Sequence, residues 1–459
     1  MSSSSATANS ATGSAPDAST ATTSALDLEA YLANYSGVTR VRRLAFIASA
    51  SKSHKTDALA LAAAEVKRGS NTALYQELVT LSGEDGGLSR DDAWVEQVDR
   101  KSQQRLDRLE NELNNHKTSL VKESIRMGHT DLGDFHYERG DFNTALKCYV
   151  RTRDYCTTSK HIIQMCLNVI KASIQMGNFT HVANYIQKAE STPDGNDATL
   201  VAQLRVAAGL AFIESKKYKQ AARKFAEVSP ELGSQYSEVI SAQDVALYGG
   251  LCALASFDRA ELRSKLVESS TFKTFLELYP AVREAVHDFY HSRYASCLDA
   301  LDKLKPDLLL DLHLHDHVKQ LYEDVRSKAL VQYFSPFVSV DMNLMATAFN
   351  VSVDALEKEL ASLIMTKQIS ARIDSQAKVL YAKQVDQRTQ TFAAALKMGE
   401  DYMRDTRALL LRINLMRADF IVKGEGQGIG PSKSSRQERN NAAANSFHPV
   451  DGLMAMEGP

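Results

Sequence analysis

No apolar run in this 459-residue sequence approaches the ~20 residues that a membrane-spanning helix needs. The N-terminus also lacks the basic start and apolar centre of a secretory leader. Together these absences predict a soluble intracellular protein with no membrane partner. Cysteine is sparse: five residues, at 148, 156, 166, 252 and 297, form no C-x-x-C motif and leave an odd one over. Reduced thiols in a cytoplasmic and nuclear protein are therefore the expectation. Charge of one sign is missing too, because 54 basic residues face 56 acidic ones, and composition gives no electrostatic reason to expect nucleic acid as a partner. There is no G-x-x-x-x-G-K-[ST] phosphate loop, no G-x-S-x-G elbow and no G-x-G-x-x-G after a strand, so no cofactor is expected. The nearest approach, GEGQGIG at 424–430, follows a helical segment and opens into a polar tail. Cys156 and His161 are close in sequence only, inside a helical repeat where packing is the better use for both.

Proline is scarce as well, with nine in the whole chain, and long segments carry helical periodicity. Residues 1–25 and 423–459 are the exception. They are dominated by small and polar residues that bury too little surface to offset the entropy of ordering, and both read as disordered tails.

Between the tails a motif recurs. In DLGDFHYERGDFNTALKCY (131–149), Gly133 is small, Gly140 turns, and Phe142, Ala145 and Tyr149 face back. Turns of the same kind follow at Gly177 and Lys216, spaced by 37 and 39 residues, and a fainter one at Ser292 lies 76 residues further on, with the missing unit around Leu247 to Leu266. Each unit alone leaves an apolar face unburied, so the units must stack. The reading is a tetratricopeptide-like right-handed helical repeat arc over 123–330, preceded by a helical region at 26–122.

After Leu330 the pattern changes to a helix at 341–349, a second at 352–366, and strands at 369–373 and 378–383. That order is a winged helix, within 331–384. A DNA reader needs basic residues on its second helix, but here Asp354, Glu357 and Glu359 outnumber Lys358, which argues for a protein-contact module. A long helix over 385–422 completes the mostly α fold. Leu396, Met403, Leu410, Ile413 and Phe420 form an apolar stripe along it.

A helical arc running into an acidic winged helix is the layout of the PCI domain. The segments at 26–48, 123–174, 326–350 and 385–422, with blocks such as ALKCYVRTRDYC and YFSPFVSVDM, together resemble the subunit-one family of the COP-nine signalosome over roughly residues 26–422. The paralogous PCI subunit of the 26S proteasome regulatory lid shares the architecture and is the alternative. The resemblance implies a non-catalytic scaffold subunit of the complex that removes a ubiquitin-like modifier from cullins and so regulates cullin–RING ubiquitin ligases. It implies contacts with subunits two and three through winged helices, with the remaining subunits through a bundle of C-terminal helices, and with ligase adaptors along the arc. In that family winged-helix sheets associate side by side, which makes Ile369, Ala371, Ile373, Val379 and Tyr381 candidates for the ring contact. Closing their own core would produce the same alternation. On the contact reading, Pro at Ser370 or Arg372 should remove an edge donor.

One stretch competes with the scaffold reading. LLLDLHLHDHVKQLYEDV (308–325) holds His313, His315 and His317 beside Asp311 and Asp316. The zinc isopeptidase signature of the resembled complex, H-x-H-x7-S-x2-D, fails in both registers: the serine and aspartate slots fall on Glu323 and Arg326, or on Val325 and Lys328. The leucine period instead predicts one helix, on which His315 turns away from His313 and His317. No metal site is expected.

Overall fold

The computed structural model describes residues 27–83, 90–192, 197–233, 235–383, 387–418 and 420. Both tails expected from the sequence lie outside the described residues. The chain divides into one unit ending at Lys383 and a second beginning at Gln384.

In the first unit, the four turns read from the sequence share one backbone signature: φ is +85° at Gly140, +70° at Gly177, +57° at Lys216 and +61° at Ser292. Left-handed residues end one helix and release the next. The hairpins so made are α6 (Lys122–Glu138) with α7 (Phe142–Arg151), α8 (Ser159–Gln175) with α9 (Phe179–Glu190), α10 (Ala198–Glu214) with α11 (Tyr218–Ala226), and α15 (Pro280–Tyr290) with α16 (Tyr294–Leu308). Five helices precede them: α1 (Leu28–Leu32), α2 (Gly37–Ala50), α3 (Lys55–Arg68), α4 (Thr72–Ser82) and α5 (Asp92–Ser119). The unit missing from the sequence pattern is α12 (Ala242–Ser256) with the short α13 (Arg259–Leu262), followed by α14 (Ser270–Glu277).

Small residues set the helix spacing. A Cβ on Gly133 would lie 2.5 Å from the Tyr149 ring, and one on Gly209 would lie 2.5 Å from the Phe225 ring. Only glycine lets the paired helices approach this closely. The helix α12 is apolar on all sides, with every residue from Asp244 to Leu254 buried, and it packs against α11, α14, α15 and α17 (Val318–Phe334). A helix without a polar face belongs in the middle of a core.

The winged helix comprises β1 (Ser339–Asp341), α18 (Met342–Ala348), α19 (Val353–Met365), β2 (Ala371–Asp374) and β3 (Val379–Ala382). Both helices lie within a residue of their predicted bounds, and β1 is an addition. Leu356, Leu360, Ile369 and Leu380 are buried in the same continuous core as the repeats. Arg326 of α17 pairs with Glu359 of α19 at 2.8 Å, and Glu357 accepts from Lys378 at 3.0 Å. The acidic helix thus spends its carboxylates on ties within the fold.

The second unit is described over α20 (Gln387–Arg417) and a few residues beyond. Its 31 residues make a rod of about 46 Å at ~1.5 Å per residue, and residues 385, 386, 419, 421 and 422 of the stretch that reads as helical in the sequence lie outside the described residues.

Candidate functional site

The histidine segment is not a helix. The helix α16 stops at Leu308, α17 starts at Val318, and residues between them form turns. Asp311 supplies the reason: its Oδ1 accepts from the backbone N–H of His313 at 2.9 Å and of Leu314 at 3.1 Å, offering the chain an alternative to helical bonding. The three imidazoles then diverge. His313 lies edge-on to Phe179 of α9, His315 packs on Phe46 of α2 with Nε2 3.1 Å from Asp316, and His317 meets Tyr218 at 3.2 Å and Glu214 at 3.7 Å. No group of three or more His, Cys, Asp or Glu side chains is placed to hold a metal among the described residues.

What the segment does hold is a buried ion cluster. Arg43 of α2 is 0% exposed, and its guanidinium donates to Asp311 at 2.6 Å, Asp244 of α12 at 3.1 Å, Tyr31 at 2.6 Å and Tyr248 at 3.1 Å. The Tyr35 ring lies 4.2 Å beneath it, close enough for a cation–π contact, and the Tyr35 hydroxyl donates to Asp244 at 2.7 Å. One guanidinium stands against two carboxylates, so the two cannot be equally well ionised. Burial works against the Asp311 charge, but Arg43, His313 and the Tyr248 hydroxyl together hold its carboxyl below the usual range. For Asp244, burial wins: with Asp311 also close, its carboxyl titrates above the usual value despite Arg43. Burial first, and the Arg43 charge second, push His313 down to about 4, leaving it neutral near pH 7. Around this centre, Ser36 N–H donates to Ser237 O at 3.2 Å, and Gln175 donates to Thr39 at 2.8 Å. Leu310 joins the core of the N-terminal helices, while Leu314 joins that of the repeats. The segment fastens the two cores together.

Sequence reasoning passed over this cluster, although it left signals. Arg43 falls on the buried face of α2 beside Leu44 and Ile47, and Asp244 is the one charged residue in α12. A charge on a buried face calls for a partner.

The assembly candidates resolve differently. In the sheet the strand order is β1-β3-β2, so β3, with Val379 and Tyr381, is the central strand. Its backbone groups are already paired on both sides, which removes it from the edge contact expected of it. Lys383 N–H donates to Ser370 O at 2.9 Å, and Arg372 stands opposite Tyr381. Antiparallel alternation therefore points Ser370 and Arg372 toward β3, and turns the N–H and C=O of Ala371 and Ile373 outward. Pro at Ser370 or Arg372 would break the ladder, contrary to expectation. Ile369 and Ala371 bury their side chains, while Tyr381 is 46% exposed on the outer face. The outer edges of β2 and of the short β1, and the Tyr381 ring, are what the sheet offers a neighbour. On α20, Leu396, Met403, Leu410 and Ile413 are exposed, while Phe420, also exposed, lies beyond the helix, which ends at Arg417.

Comparison with known proteins agrees with this architecture. Family models described as "26S proteasome subunit RPN7", "PCI domain" and "COP9 signalosome complex subunit 1, C-terminal helix" match residues 91–265, 301–384 and 387–412. COP9 signalosome complex subunit 1 of Arabidopsis thaliana is 55% identical over 403 residues, covering 87% of this chain and 91% of its own length. Subunit 1b of the Drosophila melanogaster complex is 41% identical, covering 87% and 86%. More distantly, 26S proteasome non-ATPase regulatory subunit 6 of Oryza sativa is 24% identical, covering 79% and 92%.

Proposed function

The chain belongs to the COP9 signalosome complex subunit 1 family, and from that premise we propose that it is a non-catalytic scaffold of a cullin-deneddylating metallo-isopeptidase complex that regulates cullin–RING ubiquitin ligases. Its partners are other signalosome subunits. The observation that carries the reading is likeness running from the repeats to the last helix, with α20 itself matched by a family model particular to signalosome subunit 1. Divergence of the three histidines onto separate elements supports a chain whose 313–317 segment takes no part in the zinc isopeptidase step.

Assembly has two physical handles. An exposed strand edge carries N–H and C=O groups that a neighbouring strand can complete, and in this reading the winged helices of subunits two and three meet the sheet there. The stripe on α20 is a row of exposed large apolar side chains, the pattern a helix presents when its counterpart is another helix, and it joins a bundle with the remaining subunits. Ligase adaptors meet the repeats. The complex works in both cytoplasm and nucleus.

The decisive experiment is affinity purification of the tagged chain from its native organism, alongside a Leu410→Asp variant. The wild-type chain should co-purify signalosome subunits, and recovery of proteasome-lid subunits in their place would overturn the reading. Leu410→Asp would bury a charge in the bundle at a cost of several kcal/mol. Co-assembly should be lost, while the melting temperature of residues 27–383 within the free chain stays unchanged. Equal destabilisation of the free chain would show that this stripe is not an assembly surface.

A further inference from the structure

Away from the buried ion cluster and the assembly surfaces, helix α15 carries a pair of imidazoles that nothing in the scaffold role uses. His287 lies in its last turn and His291 is its C-cap, with both side chains exposed. The two residues are one turn apart, a spacing that puts their side chains on the same face. Their Nε2 atoms are 3.3 Å apart and their ring centroids 4.3 Å apart. The backbone holds the two residues one turn apart, because His291 N–H donates to the carbonyl of His287 at 3.0 Å.

We propose that His287 and His291 form a bidentate site for a divalent transition metal of the Zn(II) or Cu(II) class. The geometry carries the argument. Zn–N bonds measure about 2.0–2.1 Å, and two such bonds spanning the observed 3.3 Å enclose about 107° at the metal, close to the tetrahedral angle. As the rings stand, one Nε2 is aimed at the other, so binding exchanges that contact for two metal bonds by reorientation of the exposed rings. Neutral imidazole suits Zn, Cu and Ni, whereas Mg and Ca require oxygen ligands.

The end of α15 carries the negative pole of its dipole, met in part by Arg259, which donates to the Tyr290 carbonyl at 3.0 Å, and Glu284 lies on the same stripe one turn earlier. Asp288, between the two histidines in sequence, is paired with Arg293 at 3.0 Å. Two protein ligands leave two tetrahedral positions facing solvent, to be filled by water or by a ligand from another chain. The site therefore differs in kind from the 313–317 segment, whose rings face three separate elements.

The test titrates ZnCl2 into the full-length chain carrying 15N-labelled histidine, in parallel with His287→Asn and His291→Asn variants. In the wild-type chain, about one equivalent of Zn(II) should perturb the ring signals of His287 and His291 together, ahead of the other histidines. Either substitution should weaken that binding at least tenfold and abolish any zinc-dependent rise in melting temperature. Because both residues are exposed, the helical circular dichroism of the variants should match the wild type. The ring signals of the unsubstituted chain give a readout independent of variant folding. Unperturbed signals at 287 and 291, or variants that bind zinc as the parent does, would overturn the proposal.

Discussion

Replacing Arg43 by Met removes the single cation from a site that keeps two buried carboxylates. Asp244 and Asp311 are each 4% exposed, and Arg43 is the basic side chain bonded to both of them. Removing one partner of a buried ion pair costs about 3–5 kcal/mol, most of it the charge left behind. The loss should appear first where Arg43 ties α2 down, as faster amide exchange at Leu44 and Ile47. At ~1.36 kcal/mol per decade, 3 kcal/mol is about a 10²-fold fall in protection. Adding Asp244→Asn and Asp311→Asn should restore most of it, because an Asn at 311 still accepts from the amides of His313 and Leu314.

The pH dependence gives the sign. In the single variant, both carboxylates titrate higher folded than unfolded, so the folded state binds the extra proton and the deficit shrinks as pH falls from 7 toward 5. In the parent chain the Asp311 carboxyl lies below its ordinary value, so its contribution is full above about pH 4 and is lost only as pH falls through the folded pKa. Protection within tenfold of the parent, or a triple variant no better than the single one, would refute the idea that this cluster holds the N-terminal helices.

His313, pushed down to about 4, should make stability fall as pH drops from about 6.5 toward 4, because the unfolded chain binds the proton first; His313→Gln should flatten that part of a urea-midpoint-versus-pH curve. Lys216 holds a left-handed backbone at φ +57°, so Lys216→Gly should raise unfolding stability by about 0.5–1 kcal/mol, and a fall would contradict the strain assigned there. In the sheet, Ile373→Pro removes an outward donor and Arg372→Pro an inward one. Subunit binding should suffer more in the first and melting temperature more in the second, with the reverse order arguing against the register.

Local periodicity carried much of this fold. Gly133 and Tyr149 could be paired from their positions in one repeat, and Lys216 and Ser292 could be placed at turns by spacing alone, although neither is glycine. Where two distant segments decide the outcome, the same method misleads. The leucine period through residues 308–325 is real, yet Asp311 is drawn to Arg43 and the helix breaks. A three-residue β1 inserted beside β3 changes which strand is the edge, and no pattern within 369–383 records that. Of the ten assembly residues, Ile369 and Ala371 show the limit most clearly, because alternation cannot tell a strand that fills its own core from one that meets a neighbour.

The ion cluster also sets an order of events during synthesis. Arg43 leaves the ribosome early, whereas Asp244 lies 201 residues and Asp311 268 residues further along the chain. At about 5–20 residues per second, roughly 15–50 s pass between the arrival of the cation and that of its second anion. The repeats can close on one another in turn as they emerge, since each finds its neighbour in the next few dozen residues. The N-terminal helices can pack on one another early, but their seat against the repeats comes only with Asp244 and Asp311. They are the first part of this chain to be made and among the last to be seated, and in the interval the charge destined for the centre of the protein has only water to solvate it.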